Sequence, residues 1–173
     1  MSITKVNADV LDLTDAYAFT GTISGAGKIL QVVYETSHEY ITSSTTAPWD
    51  DTIMQITEGV EVITKAITPA SASNLLKIDF FSTSGGGVTY KTWGIFQDST
   101  ANALASSYNY THYSNDISLS TVVVAGTTSA TTIRCRVGNQ TGSVSVNGYA
   151  TASPRGGDTV SYTHLTLPTK RIV

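Results

Sequence analysis

The sequence predicts an all-β fold: an antiparallel, jelly-roll-like β-sandwich of about eight strands, behind an extended N-terminal lead-in. Three observations predict it. Period-2 alternation of apolar and polar residues recurs along the chain, and no stretch carries a helical period. Ser and Thr together supply 48 of the 173 residues, and threonine suits strands while serine suits turns. Glycine, proline and small polar residues interrupt the apolar runs at the spacing of short strands.

The bulk properties narrow the function classes. The length suits one domain, and a domain of ~150 residues removes roughly 70% of its unfolded surface from water. An apolar content of 40% with 9% aromatics argues against disorder. The net charge is −3 and no basic run exists, so no nucleic-acid partner is expected. Cys135 is the single cysteine, which rules out an internal disulfide. Met1-Ser2-Ile3-Thr4-Lys5 leads into Asp9, Asp12 and Asp15 and does not read as a signal peptide. The longest aliphatic run, residues 122–125, is far short of the ~20 residues of a membrane helix, so no membrane insertion is expected.

Residues 1–27 form the lead-in, with apolar residues too sparse for a core element. Ser24-Gly25-Ala26-Gly27 ends it as a turn. It resembles a phosphate loop only superficially, because the spacing to Lys28 is wrong and Ile29 stands where a magnesium-binding Ser or Thr belongs. The head domain is expected over residues 28–158. Residues 28–34 (KILQVVY) read as a strand apolar on both faces, which suits a central position or cover by another subunit. Residues 36–47 read as a loop with a short strand at Tyr40-Ile41-Thr42, and Pro48-Trp49-Asp50-Asp51-Thr52 as a turn.

Residues 60–67 alternate β-branched and polar side chains around the apolar anchors Val62 and Ile67. Thr68-Pro69 stops this strand, since proline offers no N–H to a ladder. Residues 75–81 start another, with Leu76, Ile78 and Phe80 on one face and Lys77 and Asp79 on the other. The direct reading is a pair of strands joined across Pro69. Residues 82–87 (STSGGG) read as a glycine loop, and residues 88–96 as a strand carrying Tyr90 and Trp93. Residues 117–124, 131–137 and 143–149 complete the set. In 131–137, Ile133, Cys135 and Val137 face inward and Arg134 and Arg136 outward.

Few constellations carry chemistry. Asp50 and Asp51 point to opposite sides of an extended chain, so they read as a capped surface turn rather than an acid/base pair. Neither His38 nor His112 has a Cys or His cluster at metal spacing; Glu35, His38 and Glu39 could share a metal on a loop, and a solvated polar loop is the favoured reading. Cys135 reads as a packed core thiol. No Gly-x-Ser-x-Gly elbow anchors a hydrolase triad. No catalytic residue, metal or cofactor is expected. Residues 106–116 (SSYNYTHYSND) stand out instead. Tyr108, Tyr110 and His112 share one face of an extended segment, Asn109, Thr111 and Tyr113 the other. Rings ringed by Ser and Asn suit adaptable binding surfaces, where sugars stack on the rings and Asp116 takes their hydroxyls. Tyr108, Tyr110, His112, Tyr113 and Asp116 are therefore the candidate glycan or receptor contacts. Tyrosines packed along a sheet or a subunit interface are the competing reading, and the residues alone favour neither.

Residues 160–169 read VSYTHLTLPT. This resembles, codon for codon, the translation of a transposase-type sequencing-library adapter. The resemblance implies that residues 159–173 are a foreign tail, that His164, Lys170 and Arg171 carry no functional weight, and that the natural C-terminus is missing. The alternative is a genuine C-terminal strand.

Several stretches together resemble one family. They are Leu11-Asp12-Leu13-Thr14 with Phe19–Gly27; Pro48-Trp49-Asp50-Asp51-Thr52-Ile53 with Gln55-Ile56-Thr57-Glu58-Gly59; Ile67-Thr68-Pro69-Ala70-Ser71-Ala72-Ser73; Phe96-Gln97-Asp98 through Ala101-Asn102-Ala103-Leu104-Ala105; Ala125-Gly126-Thr127-Thr128-Ser129-Ala130-Thr131-Thr132; and Val146-Asn147-Gly148 with Gly156-Gly157. In order and spacing they are similar to tail-fibre-like virion proteins of tailed bacteriophages, over most of residues 9–158. The resemblance implies a non-enzymatic virion appendage, a tail fibre or receptor-binding head, made in the host cytoplasm and carried on the particle. It implies a homotrimer in contact with other virion proteins and with a host surface glycan or protein. A last strand after the Gly-Gly element belongs to the pattern; with the adapter-like tail in its place, an unpaired sheet edge is expected. The alternative function is a carbohydrate-binding module of a secreted or surface enzyme.

Overall fold

The computed structural model describes residues 29–111, 114–148 and 161–168. The expected lead-in over residues 1–27 lies outside them. Ten strands are described: β1 (Ile29–Ser37), β2 (Ile41–Ser43), β3 (Val60–Ile67), β4 (Leu75–Gly86), β5 (Thr89–Gln97), β6 (Ala105–Thr111), β7 (Asn115–Val124), β8 (Thr131–Asn139), β9 (Val144–Val146) and β10 (Ser161–Pro168). Among the described residues there is no helix, and the fold is an all-β sandwich of two antiparallel sheets.

Eight of the strands form four nested antiparallel pairs: β1 with β10, β3 with β8, β4 with β7, and β5 with β6. Rolled up, this strip yields the order β1-β10-β4-β7 in one layer and β3-β8-β5-β6 in the other. That is the jelly-roll order. The short strands β2 and β9 lengthen the first layer, β9 lying against Ser84–Gly86 of β4, which makes that sheet six-stranded.

The core lies between the layers. Leu76, Ile78 and Phe80 of β4 and Ile117 of β7 meet Trp93 and Ile95 of β5 and Ile133, Cys135 and Val137 of β8. Alternation puts each of these on the inner face of its strand. Cys135, the single cysteine, is buried in this core. Fully burying one such large apolar side chain contributes about 1.5–3 kcal/mol.

Two expectations are corrected. The strands flanking Pro69 do not pair: β3 pairs with β8, and β4 with β7 and β10, in opposite sheets. The connection crosses the end of the sandwich, held by Ala125 N–H to Asn74 O (2.8 Å) and Gly126 N–H to Ala72 O (2.9 Å). Each strand buries one apolar row in the same core, and local alternation does not tell a hairpin from a crossover. The anchors Val62 and Ile67, which differ in parity, are both buried because β3 carries an irregularity between Glu61 and Ile63.

Residues 82–86 are not a loop but the second half of β4. Their glycines admit β9: a Cβ on Gly86, whose φ is 133°, would lie 2.6 Å from Ser143 O. Residues 161–168 sit between β1 and β4, with Val33 opposite Leu165 and Leu165 opposite Ile78. The reading of this segment as adapter finds no support in the fold, and the segment pairs with both β1 and β4. Backbone pairing supplies the reason. Rows of N–H and C=O on both neighbours accept an extended segment through main-chain hydrogen bonds, which do not depend on its sequence.

Candidate functional site

The outer face of the four-stranded sheet is built in two parts. At one end, Ala47, Met54, Phe96 and Ala103 form a second apolar cluster with Ile56 packed against it. The loop between β2 and β3 folds over the sheet there. Thr46 and Asn139 form an isolated parallel bridge, with Ala47 N–H donating to Asn139 O at 2.9 Å. Met54 O accepts from Ala103 N–H at 2.9 Å, and Gly59 N–H donates to Thr46 O at 2.9 Å. Arg136 on β8 reaches across to donate to Glu58 O (2.9 Å) and Gly59 O (2.8 Å).

Two glycines make this approach possible. A Cβ on Gly138 would meet Ala47 Cβ at 2.7 Å and Gly59 Cα at 2.8 Å. Gly59 has φ 60° and a Cβ there would lie 2.5 Å from Val137 O. The loop therefore rests on the sheet at a distance that only glycine allows.

That anchoring delivers Trp49 to the second part of the face. Tyr90 of β5 stands opposite Tyr110 of β6, and Thr92 opposite Tyr108. Alternation sends all four to the outer face. The Trp49 indole stacks on Tyr90, with ring centroids 4.1 Å apart and planes 2° from parallel. Tyr108 meets Trp49 and Tyr90 edge-on at 6.0 and 6.1 Å, and Tyr110 tilts onto Tyr90 at 5.0 Å. Each such pair contributes about 0.5–1.5 kcal/mol beyond its buried area. The cluster still faces solvent: Trp49 is 46% exposed, Tyr108 57% and Tyr110 52%.

Beside the rings a cleft of about 350 Å³ opens between the turn of residues 48–54 and β6. Trp49, Asp50, Asp51, Thr92, Ser106 and Tyr108 line it. Asp50 accepts from the Thr52 hydroxyl at 2.6 Å and from Thr52 N–H at 2.9 Å, the capped turn expected from the sequence. These hydrogen bonds hold the Asp50 carboxyl below its ordinary pKa. The Thr92 hydroxyl is buried and has no partner among the described residues.

No family model matches the chain, and no curated protein matches it either. Among solved structures, it is similar to the enzymatically active domain of tailspike protein 4 of bacteriophage CBA120. The TM-score is 0.29 at 15% identity, over 78% of this chain and 19% of that one.

Of the contacts expected from the sequence, Tyr108 and Tyr110 share one outer face and belong to the ring cluster. Asp116 is exposed but lies on β7, opposite Thr83 in the larger sheet, and lines neither the cleft nor the cluster. His112 and Tyr113 lie outside the described residues. Sequence reasoning missed Trp49 and Tyr90. Tyr90 had a signal in its strand parity, because an antiparallel partner at residues 105–111 puts it opposite Tyr110. Trp49 had none beyond its place in a Pro-Trp turn, since long-range hydrogen bonds bring it to the sheet.

On the inner face of the same sheet Lys91 is fully buried. Its ammonium has no partner among the described residues, and neither has Oδ1 of Asn139, opposite it in register on β8. Burial pushes the Lys91 pKa down. Among the described residues no group of three or more His, Cys, Asp or Glu is placed to hold a metal.

Proposed function

We propose that the chain is a non-enzymatic appendage protein of a phage virion, a tail fibre or receptor-binding head, and that the outer face of its four-stranded sheet contacts the host cell surface. The observation that carries this reading is the half-exposed cluster of Trp49, Tyr90, Tyr108 and Tyr110. Four rings gathered on one face of a rigid sheet leave apolar surface in water, which is costly unless a partner covers it, and aromatic anchors of this kind dominate binding surfaces. The ordered family-like stretches supply the virion context.

The same reading makes the protein a homotrimer. Leu30, Val32 and Tyr34 of β1, Phe81 of β4, and Val122 and Val124 of β7 are exposed, on the outer side of the larger sheet. Such a face suits burial against neighbouring copies or other virion proteins. Three copies would multiply a weak surface contact into useful avidity.

Adsorption tests the reading. Labelled wild-type protein should bind a subset of bacteria in a broad panel, and a folded Tyr108→Ala variant should lose most of that binding. Wild-type protein that adsorbs to none, or a variant that adsorbs equally, would overturn it. The cleft beside Trp49 also suits the second reading, a lone carbohydrate-binding module of a secreted or surface enzyme. A monomer in solution that binds glycans would favour that one.

A further inference from the structure

We propose that the cleft between the turn of residues 48–54 and β6 binds one ring of an uncharged or amino-bearing saccharide and turns away anionic sugars. This rests on the reading of the aromatic face as the host-contact surface and names what that surface takes.

Three features of the cleft lead there. The first is its walls. Trp49 is held flat on Tyr90, and Tyr108 stands edge-on to both. Rings fixed in this way offer the C–H face of a sugar a preorganised apolar partner. The volume of about 350 Å³ lies at the small end of the roughly 300–1,000 Å³ typical of ligand clefts. It suits a single sugar ring rather than a long chain in an extended groove.

The second is a polar lining. Asp51, Thr92, Ser106 and Ser107 line the cleft beside the rings. Hydroxyl and carboxylate side chains are the partners that sugar hydroxyl and amide groups take.

The third is charge. Asp50 and Asp51 both line the cleft, and no lysine or arginine does. The hydrogen bonds from Thr52 hold the Asp50 carboxyl below its ordinary pKa. The arginines on the same side of the sheet are engaged elsewhere: Arg134 with Glu61 at 2.8 Å and with Asp98 O at 3.1 Å, and Arg136 with the carbonyls of Glu58 and Gly59. Carboxylates accept hydrogen bonds from sugar hydroxyls and from an ammonium group. They repel uronate, sialate, sulfate and phosphate, and selectivity follows from that repulsion.

The test is a fluorescence titration of the full chain with methyl hexosides, N-acetylglucosamine, glucosamine and glucuronate. Trp49 is the exposed indole and Trp93 is buried, so a Trp49→Phe variant identifies the source of any change. At least one neutral or amino sugar should give a saturable change that Trp49→Phe abolishes. Glucuronate should bind at least about tenfold more weakly, and Asp51→Asn should narrow that gap by about threefold or more. Glucuronate binding as tightly as the neutral sugars overturns the inference and leaves the host-contact reading standing. So does a complete lack of sugar binding by a protein that still adsorbs to bacteria in a Tyr108-dependent manner. A lack of both sugar binding and Tyr108-dependent adsorption overturns the two together.

Discussion

Trp49 and Tyr90 are 41 residues apart in sequence, yet their rings lie 4.1 Å apart and parallel to within 2°. Nothing local to either residue makes this contact. It exists because Gly138 lets Ala47 and Gly59 settle onto β8, and Arg136 then ties down the carbonyls of Glu58 and Gly59. The ring cluster is therefore a product of packing on the far side of the loop.

A Gly138→Ala substitution should expose that dependence. The new methyl would sit 2.7 Å from Ala47 Cβ, and overpacking of this kind costs about 1–3 kcal/mol. We expect a lower urea midpoint together with loss of the near-ultraviolet circular dichroism of the Trp49–Tyr90 stack. A variant as stable as the wild type, with its aromatic signal intact, would show that the loop is held by other means.

Lys91 gives a pH dependence whose sign follows from its burial. Its pKa is lowered in the folded state, so between that value and the ordinary lysine value the unfolded chain binds more protons. Stability therefore rises with pH through this window, and below it the full penalty of a buried ammonium is present. Lys91→Met removes the charge at similar volume. We expect a gain of about 1–3 kcal/mol near neutral pH and a flatter alkaline profile in unfolding experiments. A loss of stability on this substitution would mean that the ammonium is satisfied.

Residues 161–168 fill the space between β1 and β4. Removing residues 159–173 should leave two rows of unpaired backbone groups and cause aggregation or loss of cooperative unfolding. Leu165→Pro in the full-length chain should act in the same direction, because proline cannot donate to the ladder of an interior strand. Soluble, cooperatively folding variants in both cases would remove β10 from the account.

The exposed apolar face of the larger sheet carries the expectation of a trimer. Sedimentation should give three times the 18.3 kDa chain mass. Val32→Glu, which puts a charge at a position 48% exposed in the single chain, should dissociate the assembly without unfolding the subunit. A monomeric wild-type protein would contradict the trimer and favour the lone binding module.

Most of the sandwich was legible in the sequence, because inward rows such as Leu76-Ile78-Phe80 and Ile133-Cys135-Val137 announce both strand and face. Which strands pair was not. The period-2 signal on either side of Pro69 is the same for a hairpin as for a crossover, and only the shared core separates them. Gly85 and Gly86 read as a loop, since the strand that needs their missing side chains lies about 60 residues further on. The candidate site was half legible. Tyr108 and Tyr110 stood out by their own spacing. Tyr90 needed the pairing of β5 with β6, and Trp49 needed the whole anchored loop.

The central claim is that the ring cluster is the contact surface. The most direct test is adsorption of a folded Trp49→Ala/Tyr108→Ala double variant to bacteria that the wild-type protein binds. We expect binding to fall at least about tenfold, with sedimentation unchanged and unfolding still cooperative. Equal adsorption by the double variant and the wild type would contradict the claim.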